Sequence, residues 1–136
     1  MKGHENQNPI FPKGEHASPD YFTGLAWIKN LVPADEIFNT VIANVVFEPG
    51  ARTNWHTHPG GQILLVIDGT GYYQEKDKPI QLLKKGDVVK IPPGLIHWHG
   101  ATPESAFTHI AVNTNSNKGA VEWLDSVTEE EYNSFK

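Results

Sequence analysis

The stretch GARTNWHTHPGGQILLVIDG, residues 50–69, places two histidines one residue apart, His56 and His58, ahead of a proline-glycine turn, with Gln62 four residues after the second. Side chains alternate along an extended strand, so both imidazoles project from one face. The run GQILLVIDG (61–69) is apolar on both faces, which predicts a strand covered on both sides, by a barrel interior and by a second sheet or subunit. A homo-oligomer, dimer or tetramer, is expected on that ground.

Outward from this stretch the chain keeps one rhythm. Its 12 glycines and 10 prolines separate short segments rich in Val, Ile, Leu, Thr and Tyr, a pattern of many strands and turns. Segments 23–32, 39–48, 53–58, 61–69, 70–76, 79–84, 87–92, 97–101 and 106–114 read as strands, with turn signals in DGTG (68–71), KDKP (76–79) and PPGL (92–95). The strand HWHGA (97–101) repeats the spaced pair, with His97 and His99 sharing one face. SVTEEEYNSF (126–135) predicts a short helix, with a hydroxyl residue at its start and acids in its first turn. Residues 1–20 read as a loosely structured arm and 21–136 as a single domain. No repeat or low-complexity tract interrupts it.

Composition narrows the chemistry. A chain of 136 residues suits one domain. A net charge of -5 gives no electrostatic basis for nucleic acid or an anionic membrane as partner. There is no cysteine, so a metal can be held only by nitrogen and oxygen. No stretch approaches the ~20 apolar residues of a membrane helix, and the N-terminus has no apolar run of signal-peptide length. A soluble cytoplasmic protein is expected. Nucleophile-elbow, phosphate-loop and dinucleotide signatures are absent.

Two spaced motifs complete the picture. Gly50, His56-x-His58, Gln62 and Gly69 match the first motif of the cupin family (residues 50–69), with Gln where that motif usually carries Glu. Gly86, Pro92-x-Gly94 and His97 match the second (86–101), with Ala101 where Asn is usual. The chain resembles the cupins, and the resemblance implies an all-β fold: a jelly-roll barrel whose closure removes exposed sheet edges, with a short C-terminal helix. It also implies four metal ligands, His56, His58, Gln62 and His97. A neutral Gln leaves the full +2 charge of the ion in place, which favours Lewis-acid over redox chemistry. The alternative is that Gln62 only hydrogen-bonds inside the barrel.

A closer resemblance, from about Tyr21 to Tyr132, is to small single-domain cupins that include the manganese-dependent bacterial hydroxynitrile lyases. It rests on FEPGARTNWHTHPGGQ (47–62), GDVVKIPPGLIHWHGATP (86–103), THIAV (108–112) and KGAVEWLDSVTEEEY (118–132). It implies a divalent transition metal, manganese foremost with Fe, Ni, Zn or Cu as alternatives, and a small-molecule substrate. His99, sharing strand parity with His97, is the candidate general base. His109, inward with Asn113 by alternation, is either a second acid/base or a core histidine. Ala43 and Val45 match pocket-lining positions, and Asn113 joins them as a candidate pocket residue. Three functions stay open: a cyanohydrin-type lyase, a metal-dependent dioxygenase, and a non-catalytic small-molecule-binding cupin. Trp55 and Trp98 are expected to face away from the ligands and pack between sheets or at a dimer interface. Arg52 is expected to pair with Glu48 or a substrate, and His4 and His16 to be solvated.

Overall fold

The computed structural model describes residues 9–136; His4 lies outside them. The described residues form β1 (Glu15–His16), β2 (Phe22–Thr23), β3 (Ala26–Val32), β4 (Val41–Phe47), β5 (Arg52–Thr53), β6 (His56–Thr57), β7 (Gln62–Glu75), β8 (Gln81–Lys84), β9 (Val88–Ile91), β10 (His97–Ala101), β11 (Phe107–Asn113) and β12 (Glu122–Trp123). A 3-10 turn at Ser116–Lys118 and one helix, α1 (Glu129–Tyr132), complete them.

Every pairing is antiparallel. One sheet runs β1-β3-β4-β11-β7-β9, the other β8-β7-β10-β5-β2, with β6 beside β10 and β12 beside β6. β7 belongs to both, its first half against β9 and its second against β8. The crossing from one sheet to the other falls at Gly69, whose φ of +76° suits glycine and where a Cβ would strike the Ala106 carbonyl oxygen. The sheets curl into the jelly-roll barrel that the sequence motifs imply. β1 lies within the stretch read as an arm: it pairs with β3, and the His16 ring packs at a tilt against Trp27 with centroids 3.8 Å apart.

Two apolar clusters result, one on each side of the second sheet. Inside the barrel Val45, Phe47, Leu64, Val66, Tyr73, Leu83, Ile91 and Phe107 pack together. Outside, Trp55, Tyr72, Ile80 and Trp98 are covered by Val127 and Tyr132 of the C-terminal tail. The two tryptophans therefore face away from the histidines, as their parity requires, and their cover is the chain's own tail. On the first sheet the outer face of β7 has no such cover among the described residues, and Leu65 there is 38% exposed.

Two local expectations change. The helix is shorter than 126–135 because its N-cap is Thr128: Thr128 Oγ1 accepts from the Glu131 amide at 3.0 Å, and Glu131 Oε1 accepts from the Thr128 amide at 2.9 Å. Arg52 does not pair with Glu48. It lies on the outer face, donating to Glu129 Oε2 (2.7 Å) and the Val127 carbonyl (3.0 Å) under the Tyr132 ring, while Glu48 takes Lys13 and the Trp27 indole.

Candidate metal centre

β6 and β10 are neighbours, and the register sets His56 opposite His97 with ring centroids 4.2 Å apart. His99, two residues along the same face, is 5.2 Å from His56 and 5.6 Å from His97. His58 is 4.9 Å from His56 and 5.5 Å from His97. One ring nitrogen from each of His56, His97 and His99 lies within 4.8 Å of the other two, forming a three-histidine group. His109 reaches the cluster from β11, 4.9 Å from His99. All five rings are buried.

Proximity and orientation pick out different trios. By proximity the tight group contains His99; by orientation it is His56, His58 and His97 that are fixed. Their Nδ1 atoms lie 2.8, 2.7 and 2.9 Å from the carbonyl oxygens of Asn54, Ala120 and Leu95. A carbonyl can only accept, so each Nδ1 carries the proton and each Nε2 keeps its lone pair. Gln62 is fixed in the same way: its amide Nε2 donates to Asn113 Oδ1 at 2.8 Å, leaving the amide oxygen free.

Three of the four atoms so presented are buried without a partner. His58 Nε2, His97 Nε2 and Gln62 Oε1 are buried without a hydrogen bond, as are both ring nitrogens of His99 and of His109. Each such atom costs about 1–3 kcal/mol, so a cluster of them marks a place shaped for a polar occupant. Imidazole nitrogens turned inward by their outer hydrogen bonds, with an amide oxygen beside them, fit a divalent transition ion. The three-histidine group points to the same class of ion.

Burial depresses every one of these rings. His56 and His99 are held well below the ordinary histidine range, first by burial and then by neighbouring histidines. Burial lowers His58, takes His97 down to about 4 and takes His109 down to about 3. All five are neutral near pH 7, the form that binds a metal or accepts a proton.

The remaining sequence-selected residues fall around this cluster. Val45 lies opposite His109 in the β4–β11 pairing and Ala43 opposite Ala111. Phe47 stacks on His109 at 5.4 Å and meets the edge of His99 at 6.0 Å. Asn113 is tied to Gln62 and so orients that amide. Sequence reasoning missed three neighbours. Glu75 and Tyr73 stand opposite His97 and His99 in the β7–β10 register, and the Tyr73 hydroxyl donates to Glu75 at 2.9 Å. Trp123 of β12 closes over His56 at 4.8 Å. A separate cleft of about 340 Å³ on the outer face, lined by Trp55, Lys76 and Glu131 among others, contains none of the clustered histidines.

Comparison with known proteins agrees with this picture. A family model described as the cupin domain matches residues 43–113. The chain is 45% identical over 113 residues to an (R)-mandelonitrile lyase of Granulicella tundricola, covering 83% of this chain and 86% of that one. A crystal structure of a cupin-like protein of Thermotoga maritima superposes with a TM-score of 0.91 at 55% identity, over 95% of this chain and 98% of that one. A DMSP lyase of Ruegeria pomeroyi, at 17% identity and a TM-score of 0.65 over 89% of this chain and 62% of that one, shares the fold alone. From its jelly-roll barrel, its two spaced motifs and these matches, the chain belongs to the cupin family.

Proposed function

We propose that the protein is a divalent-metal-dependent lyase of the hydroxynitrile lyase type, cleaving a cyanohydrin to a carbonyl compound and hydrogen cyanide. His56, His58, His97 and Gln62 would hold the ion, because each has its outer polar atom committed and the inner atoms of His58, His97 and Gln62 are buried without a partner. That pattern is the observation carrying the metal reading; the 45% identity to a mandelonitrile lyase supports the choice of reaction. Manganese is the ion we assign, as the sequence resemblance implies, since a nitrogen and neutral-oxygen set suits it without redox cycling.

A bound divalent ion supplies Lewis acidity toward the substrate oxygen. His99 is left to act as base: it is neutral, beside the ligand pair, and neither ring nitrogen has a partner. It takes the hydroxyl proton; the electron pair of that O–H bond becomes the carbonyl π bond, and the C–CN bond breaks with its pair leaving on cyanide. His99 then returns the proton to cyanide, with His109 at 4.9 Å as the second proton-handling ring. Ala43 and Val45 leave room for the substituent on the carbonyl carbon.

The test is release of benzaldehyde and cyanide from mandelonitrile by the manganese-loaded protein. Turnover in wild type that is lost in His99→Ala with metal retained supports the reading. Oxygen consumption in place of cyanide release would favour the dioxygenase, and ligand binding without either would favour a binding module. We also read the uncovered outer face around Leu65 as the contact of a homo-oligomer, which light scattering checks. The proposed setting is cytoplasmic; no helix among the described residues is long and apolar enough to cross a membrane.

A further inference from the structure

We propose that Gly119 and Ala120, in the C-terminal segment, form a positioning element of the metal centre that presents the Ala120 carbonyl to His58 and thereby fixes the tautomer and aim of that ring. The inference rests on the reading of His58 as a ligand. It starts from an asymmetry. His56 and His97 each bond, through Nδ1, to the carbonyl two residues earlier on their own segment, Asn54 and Leu95. These two rings are set by local strand geometry. His58 instead bonds at 2.7 Å to a carbonyl 62 residues away in sequence.

The backbone delivering that carbonyl is specialised. Gly119 has φ 116° and ψ 160°, a conformation open essentially to glycine alone and costly for any other residue. A Cβ there would also sit 3.3 Å from Pro59, the residue after His58. The segment is held on both sides. Upstream, Thr114 Oγ1 and Asn115 Nδ2 donate to the Gly60 carbonyl at 2.8 and 3.2 Å. Downstream, β12 pairs with β6 through Glu122↔Thr57 and Trp123↔His56, and Trp123 stacks on Tyr21 at 4.8 Å. Ala120 is thus suspended between two attachments to the loop and strand that carry His58. One of the four candidate ligands is therefore oriented by the tail, and the geometry of the site depends on the tail being docked.

Two measurements test this, with Mn²⁺ as the probe. In metal-free wild type labelled with nitrogen-15, ring shifts should show His58 wholly as the Nδ1–H tautomer; a mixture or the Nε2–H form would overturn the contact. Calorimetric titration with Mn²⁺ should then show Gly119→Ala weakened about 10–100-fold, the effect of losing an outer partner of a metal-binding histidine. Gly86→Ala is the control for backbone strain: Gly86 also has a positive φ, 96°, with open space around it, in the turn between β8 and β9. It should lose thermal stability while keeping Mn²⁺ affinity within about twofold. Equal affinity losses in the two variants, or none in Gly119→Ala, would contradict the proposal. If Gly119→Ala does not fold, the wild-type tautomer decides. A wild type that takes up no Mn²⁺ sinks the metal reading itself, and the tautomer then still decides the tail contact.

Discussion

The strand β10 has two buried faces with opposite characters. Outward, Trp98 is fully buried, and its cluster has most of its polar groups satisfied: Trp98 Nε1 donates to Gln74 at 2.8 Å, the Tyr132 hydroxyl donates to the Ala101 carbonyl, and Arg52 donates through its terminal nitrogens to Val127 and Glu129, with only its Nε left unpartnered. Inward, His97 and His99 are equally buried, yet partnerless nitrogens gather around them. Burial is the same on both sides; hydrogen-bond completion is not. A face built for stability closes nearly all its polar pairs, and a face that leaves several open together at about 1–3 kcal/mol each reserves them for an occupant.

The contrast is broken most sharply by removing groups from each side. His99→Ala should lower kcat of the metal-loaded protein by about 10²–10⁴, with metal content unchanged by elemental analysis. His56→Ala should lose the metal, and turnover with it. On the outer face, Trp98→Ala should destabilise by about 3–5 kcal/mol in urea denaturation and leave Mn²⁺ affinity near the wild-type value. A Trp98→Ala protein that loses affinity in proportion to stability would erase the distinction between the faces.

The inner face should respond to apolar substitution with the opposite sign. His109→Leu removes two unpaired buried nitrogens at similar volume, so the metal-free protein should gain about 1–3 kcal/mol, read as a higher urea midpoint. A loss would mean that His109 has structural partners after all.

Acid provides a finer comparison. The buried histidines have folded pKa values below the ordinary 6.5, about 4 for His97 and about 3 for His109. Above about pH 6.5 both states are neutral and the groups have no effect. As pH falls below that, the unfolded chain binds protons that the folded one does not, and stability declines until the folded values are passed. Each such ring contributes about 1.4 kcal/mol per pH unit across its window. The decline between about pH 6.5 and 4 should be shallower by roughly one such increment in His109→Leu, and unchanged in slope in Trp98→Ala. The smallest effect is expected at the tail: Tyr132→Phe, losing one hydrogen bond to Ala101, should cost about 1 kcal/mol.

Much of this was legible before any coordinates. The two spaced histidine pairs and the glycine-proline turns identify the barrel, and strand parity alone sends Trp98 outward and His99 inward. The parts that were not legible depend on pairing between distant segments. Tyr73 and Glu75 reach His97 and His99 only through the β7–β10 register, which a single sequence does not encode locally. Asn113 reads as a pocket residue by alternation, and only the β11–β7 pairing shows it tied to Gln62. The Ala120 carbonyl has no side-chain signature at all; its one sequence trace is Gly119, and a glycine among 12 attracts no notice until its φ is known. For Arg52 the sequence offers Glu48 or a substrate as partner, whereas strand direction carries it to Glu129.

The central claim is that the inward atoms of His56, His58, Gln62 and His97 are reserved for a divalent metal. Elemental analysis of the protein as purified, repeated after Mn²⁺ loading, tests it most directly when paired with His97→Ala. The account predicts about one divalent ion per chain in wild type and none in the variant. A wild type that remains empty after loading, or a variant that binds as well as wild type, would contradict it.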